Sequence, residues 1–107
     1  LGKARKITLS TRTFAKAGDA TIFFRDMLNR YGIGERVSPQ DSADLSALLD
    51  RHDEREEKLG DGIVGFEVNY PPADVPQFSE RCFWIVRTND TKIDFSIAHC
   101  LERKPYD

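Results

Sequence analysis

Apolar positions recur along this chain at two different periods, and the switches between them mark its elements. Residues 6–10 alternate, with Ile7 and Leu9 set between polar neighbours, which predicts a short strand. After Gly18 the period lengthens. Ala20, Phe23, Phe24, Met27, Leu28 and Tyr31 follow i, i+3, i+4, i+7 spacing, so a helix is expected with Asp19 as its cap and Gly32 as its stop. Arg25, Asp26, Asn29 and Arg30 fall on its polar side. Ser38-Pro39 opens a second helix, because serine caps well and proline is tolerated at the first helical position. Leu45, Leu48, Leu49 and His52 share one face of it. Residues 53–58 are too charged to hold a buried stripe and read as a solvated, partly helical link, which Gly60-Asp61-Gly62 breaks.

Strict alternation returns at residues 63–70, with Val64, Phe66, Val68 and Tyr70 expected on a buried face and Gly65, Glu67 and Asn69 on the other. Pro71, Pro72 and Pro76 make the next ten residues a connector. Residues 81–88 and 92–97 then read as a hairpin closed by a two-residue Asn89-Asp90 turn. That turn would place Val86 opposite Ile93, Trp84 opposite Phe95 and Cys82 opposite Ile97 on the core face. Arg81, Phe83, Ile85 and Arg87 would then join Lys92, Asp94 and Ser96 on the reverse face. The resulting class is α+β, in the order β-α-α-β-β-β, with two helices on one face of a small, mainly antiparallel sheet.

Length and composition change little in this picture. The chain has 107 residues, 39% hydrophobic and 32% charged, which suits one globular domain over residues 1–107. Cys82 and Cys100 are too few for a disulfide scaffold and lack zinc-module spacing, so a reducing, cytoplasmic setting is expected. No apolar run reaches the roughly 20 residues a membrane helix needs. The chain opens on Leu1 and not on methionine, which leaves room for an upstream segment. The net charge is −2 but uneven: residues 1–18 carry Lys3, Arg5, Lys6, Arg12 and Lys16 and no acid, whereas residues 41–61 hold eight acids against Arg51, Arg55 and Lys58. Residues 1–5 are expected to form a flexible basic arm.

Three clusters resemble the DCL domain, named from the plant protein "defective chloroplasts and leaves". Leu48-Leu49, His52 and Lys58-Leu59-Gly60-Asp61-Gly62-Ile63 are similar to the family's leucine pair, histidine and glycine turn. Residues 81–88, Arg81-Cys82-Phe83-Trp84-Ile85-Val86-Arg87-Thr88, are similar to its R-C-[FL]-x-V-V-R-T strand. Asp94-Phe95-Ser96-Ile97 with Cys100-Leu101 is similar to its D-F-S-Y-x-x-C-L ending. Asn89-Asp90 stands where the family often has Asp-Gly, and Ile97 where it has tyrosine. The resemblance implies an RNA context, since the plant members act in plastid ribosomal RNA maturation and a related domain closes the largest subunits of RNA polymerases IV and V. It transfers no catalytic residue, and a free-standing copy of this size resembles the bacterial members.

Three groups of side chains invite a chemical reading. Arg81, Phe83, Arg87 and Lys92 on the hairpin, with Lys58, form a face of cations and aromatics suited to unpaired RNA. The structural alternative is that Phe83 and Ile85 are covered while the arginines pair with Asp94 or Glu67. His52, Cys82, His99 and Cys100 suggest a metal or a nucleophile. In a strand, however, His99 and Cys100 point apart, so buried thiols and a helix-end histidine are expected, with no metal and no cofactor. The acids of residues 53–61 lack calcium-loop spacing. The functional expectation is a non-enzymatic, RNA-associated accessory domain, set against a protein-interaction module that docks a ribosome, polymerase or processing partner without touching RNA.

Overall fold

The computed structural model describes residues 5–72 and 81–105. The expected flexible arm, except Arg5, and the proline connector from residue 73 lie outside them. In chain order the elements are β1 (Ile7–Thr8), β2 (Thr13–Phe14), α1 (Ala17–Asn29), α2 (Pro39–Leu49), α3 (Arg55–Leu59), β3 (Ile63–Asn69), β4 (Cys82–Arg87), β5 (Lys92–Phe95) and α4 (Ile97–Leu101). The class is α+β, with β1 and β2 as a small antiparallel ribbon and β3-β4-β5 as a separate antiparallel sheet.

Both long helices bury the stripes their periodicity announces. Ala20, Phe24, Met27 and Leu28 of α1 are buried, as are Leu45, Leu48 and Leu49 of α2. The first helix begins earlier than expected. Its cap is Lys16, which makes no side-chain cap bond, and Asp19 sits in its first turn as favourable negative charge. It ends at the Arg30 cap, so Gly32 lies beyond it instead of at C′. Tyr31 becomes a junction between the helices, its hydroxyl accepting from the Ser38 amide at 3.1 Å and donating to Asp41 Oδ2 at 2.6 Å. Ser38 caps α2 as expected, accepting from the Asp41 amide at 3.2 Å. Ser38→Ala is therefore expected to cost about 1 kcal/mol, read from the urea unfolding midpoint.

The largest departure is in the hairpin. Its loop holds three residues, not two: the Arg87 amide bonds Thr91 O at 2.9 Å, and Asp90 takes a positive φ of 65°. One extra loop residue slides the register by one and turns over the side chains of β4, while Ile93 and Phe95 of β5 keep their inward side. Phe83 now faces Phe95 and Ile85 faces Ile93, while Trp84 faces Asp94 and Val86 faces Lys92. Phe83 and Ile85 are in the core. Cys82, Trp84 and Val86 are on the outer face.

The preceding strand also departs from plain alternation. An irregularity in pairing between Ile63 and Gly65 takes Val64 out of the buried set, leaving it 59% exposed, and Tyr70 is 64% exposed beyond the strand's end. Phe66 and Val68 stay buried. The free edge of β3 is covered by residues 34–37, through bonds from Gly34 N to Val68 O, Val68 N to Glu35 O and Val37 N to Phe66 O. The strand expected over residues 92–97 stops at Phe95. Ser96 then caps α4 by accepting from the His99 amide at 3.2 Å.

The core thus lies between the inner sheet face and the helices. Phe66 meets Phe95 edge-on at 5.9 Å, Phe83 stacks on Phe95 at 6.1 Å, and these rings join Phe24, Met27, Leu45, Leu48 and Cys100 in one cluster. α1 packs against α4, and α2 against both α4 and β3. Arg12 ties the β1–β2 ribbon to the helices: its guanidinium grips Asp44 through two bonds of 3.1 and 3.0 Å and lies 4.2 Å above the Phe23 ring.

Candidate binding face and histidine corner

The cations expected to form an RNA face are distributed around the fold. Arg81 Nη1 donates to Tyr31 O at 2.6 Å, pinning the start of β4 to the end of α1. Arg87 lies about 20 Å further along β4 at ~3.3 Å per residue. It reaches the other way, to Thr91 Oγ1 at 2.8 Å and Glu57 O at 3.1 Å. Lys58 donates to Asp94 O at 2.8 Å, binding α3 to β5. All three staple secondary structure together. Phe83 is 1% exposed and has no ring face to offer a ligand, which corrects its expected place on the reverse face.

Lys92 alone of the expected residues stands on the outer sheet face. The register aligns Glu67, Trp84 and Asp94 in a row across the three strands there. Lys92 Nζ lies 2.9 Å from Glu67 Oε1, and Asn69 Nδ2 donates to Oε2 at 3.1 Å. Burial pushes the Glu67 carboxyl up, but the bonds from Lys92 and Asn69 and the charges of Lys92 and Arg36 outweigh it, so its pKa ends below the ordinary value. Arg36 lies across Gly65, where a Cβ would come within 3.2 Å of its Nη1, so glycine makes room for the guanidinium. Trp84 is half-buried, and its Nε1 donates to Tyr70 O at 2.9 Å. This leaves the indole next to Glu67, to which Lys92 and Arg36 bring their charges, with exposed Tyr70 beside it. Trp84, Arg36 and Tyr70 were absent from the sequence-based site, and the one clue to Trp84 was the loop length.

Neither thiol is poised for chemistry. Burial and then the nearby Asp94 charge push Cys82 up to about 11, and burial pushes Cys100 up to about 12. Among the described residues no three His, Cys, Asp or Glu side chains are grouped to hold a metal. The two histidines do meet. His52, at the end of α2, stacks on His99 of α4 with centroids 4.4 Å apart and planes 28° from parallel. His52 Nδ1 accepts from the Glu54 amide at 2.9 Å, and His99 Nε2, shielded from solvent, lies 3.4 Å from Asp53 Oδ2. Around them the last carbonyls of α4 are received by cations: His99 O by Lys104, Cys100 O and Glu102 O by Arg51, and Leu101 O by Arg5. Arg5, expected in a free arm, is a clamp on α4.

Residues 25–101 match the family model described as "Protein of unknown function (DUF3223)". The chain belongs to that family. The chain is 37% identical over 81 residues to "Protein DCL, chloroplastic" of Solanum lycopersicum, covering 72% of this chain and 35% of that protein. It is 40% identical over 59 residues to "Protein EMBRYO DEFECTIVE 514" of Arabidopsis thaliana, covering 55% of this chain and 27% of that protein. The chain thus spans about a third of the length of these curated relatives. A solution NMR structure of an uncharacterized protein from Rhodospirillum rubrum shares the fold, with a TM-score of 0.79 and 37% identity over 94% of this chain and 91% of that one. The resemblance drawn from the three sequence clusters therefore holds. Within the described residues no helix is long and apolar enough to cross a membrane.

Proposed function

We propose that this DUF3223 domain is a non-catalytic, RNA-associated module that engages unpaired bases on the outer face of β3-β4-β5. The observation that carries the reading is Trp84, a half-buried indole in the central strand, with its N–H satisfied by Tyr70 O and the cations Lys92 and Arg36 gathered at Glu67, its partner on β3. A ring so held offers its π face without giving up a hydrogen bond, and stacking on an aromatic is worth roughly 1–3 kcal/mol per base. Lys92, with a side chain 49% exposed, and exposed Arg36 supply phosphate contacts. The DCL resemblance implies the same RNA context. Few cations take part, so the salt slope is expected to be shallow, about one to two counterions.

Fluorescence anisotropy of labelled single-stranded and duplex RNA tests this. Saturable binding that favours single strands is expected, weakened about 5- to 100-fold by Trp84→Ala and less by Lys92→Glu. Absence of binding at low salt, or unchanged affinity in folded Trp84→Ala, overturns it. The second reading, a protein-docking face, draws on exposed Val64 and Tyr70 and on the Lys92–Glu67 pair, which leaves the face nearly neutral. Association with a partner that survives nuclease treatment and is lost in Trp84→Ala favours it.

A further inference from the structure

The structure assigns to the His52–His99 stack the role of a proton-operated latch: with both rings neutral it holds α4 against the junction of α2 and α3, and with protons added it lets that helix open. The inference is independent of the proposed RNA face, which lies on the outer side of the sheet.

The geometry makes His52 the sensing group. Its Nδ1 accepts the Glu54 amide hydrogen, so that nitrogen must be bare in the closed form. A proton there would set N–H against N–H at 2.9 Å and strip the junction of its bond. Its ring also lies against His99, a stacking contact that reaches from the junction to α4. Two cationic imidazoles 4.4 Å apart repel, a repulsion that the carboxylates of Asp53 and Glu54 oppose in part and that Lys58 and Lys104 add to. From α3 the ring faces Lys58, from the C-terminal segment Lys104, and from its own junction Asp53 and Glu54. Lys104 and Arg51 are buried.

His99 differs in having a carboxylate partner, Asp53, which Lys104 holds at 3.0 Å. Burial, then the charges of His99 and Lys58, already lower the pKa of His52 below its ordinary 6.5, with Glu54 opposing and Lys104 adding to the effect. A group depressed in the folded state binds fewer protons there than in the open state. Its contribution to the closed latch is present above pH 6.5 and is lost as pH falls through the depressed value.

The experiment is amide hydrogen exchange on the intact chain between about pH 7.5 and 5.5, the histidine range, with α4 amides normalised to β4 amides at each pH. The α4 opening ratio is expected to rise over that range, with a ceiling of about tenfold for a single proton taken up at 6.5 in the open form alone. His52→Asn, whose Oδ1 can replace Nδ1 as acceptor without titrating, is expected to remove most of the rise. His99→Phe, which keeps a stacked ring, is expected to reduce it. A flat ratio in the natural chain, or a full rise in His52→Asn, overturns the latch. Should His52→Asn fail to fold, the natural chain still decides by NMR titration: His52 titrating at or above 6.5 with α4 protection unchanged would overturn it as well.

Discussion

Phe83→Ala is expected to lower stability by about 3–5 kcal/mol, a large part of the 5–15 kcal/mol typical of a small domain. Its ring is 1% exposed, stacked on Phe95 at 6.1 Å and paired with Val68 on the neighbouring strand. Removing it leaves a cavity at the centre of the inner sheet face that helices on one side and strands on the other are too rigid to collapse into. Trp84→Ala, one residue along the same strand, should cost less because the indole is half-exposed. Urea unfolding of both variants checks this, with the midpoint falling and the slope unchanged. The pair reads out the hairpin register. A Phe83→Ala variant as stable as the natural chain would return Phe83 to the outer face and remove the basis for placing Trp84 there.

That register shows where the sequence stops being legible. The helices could be read because their information is redundant: six apolar positions agree on α1, and Ser38-Pro39 with four further residues agree on α2. The hairpin has no such redundancy. Residues 82–86 are all apolar or aromatic, so either face of β4 can go inward, and the choice falls to the loop. Asn89-Asp90 suits a two-residue turn and equally suits a three-residue loop with Asp90 at the left-handed position. The Arg87–Thr91 closure decides between them, and it is a matter of backbone geometry.

The site residues followed the register. Phe83 moved into the core and Trp84 came out, while Lys58, Arg81 and Arg87 proved to bind backbone carbonyls that composition does not reveal. The start of α4 was legible in principle. Ser96 followed by Ile97, Cys100 and Leu101 carries a cap and helical spacing, but so short a run is also consistent with a strand's end.

Arg51→Met is expected to cost about 2–3 kcal/mol and to act first on α4. The guanidinium is buried and donates to Cys100 O at 2.9 Å and Glu102 O at 3.3 Å, carbonyls that the helix leaves without internal partners. Methionine keeps much of the side chain's volume and removes the donors, so the loss reports on charged hydrogen bonds to otherwise unsatisfied acceptors, typically about 1.5–3 kcal/mol. No glycine follows α4 to turn the chain back: Glu102 is its cap, in an extended conformation. The cations therefore serve as its C-terminal cap, which explains how a five-residue helix persists where isolated helices of that length do not. Hydrogen exchange should show α4 amides losing protection in Arg51→Met before those of β4. Uniform loss across the domain would instead mean that α4 and the sheet open as one unit, and that the clamp supports the whole core.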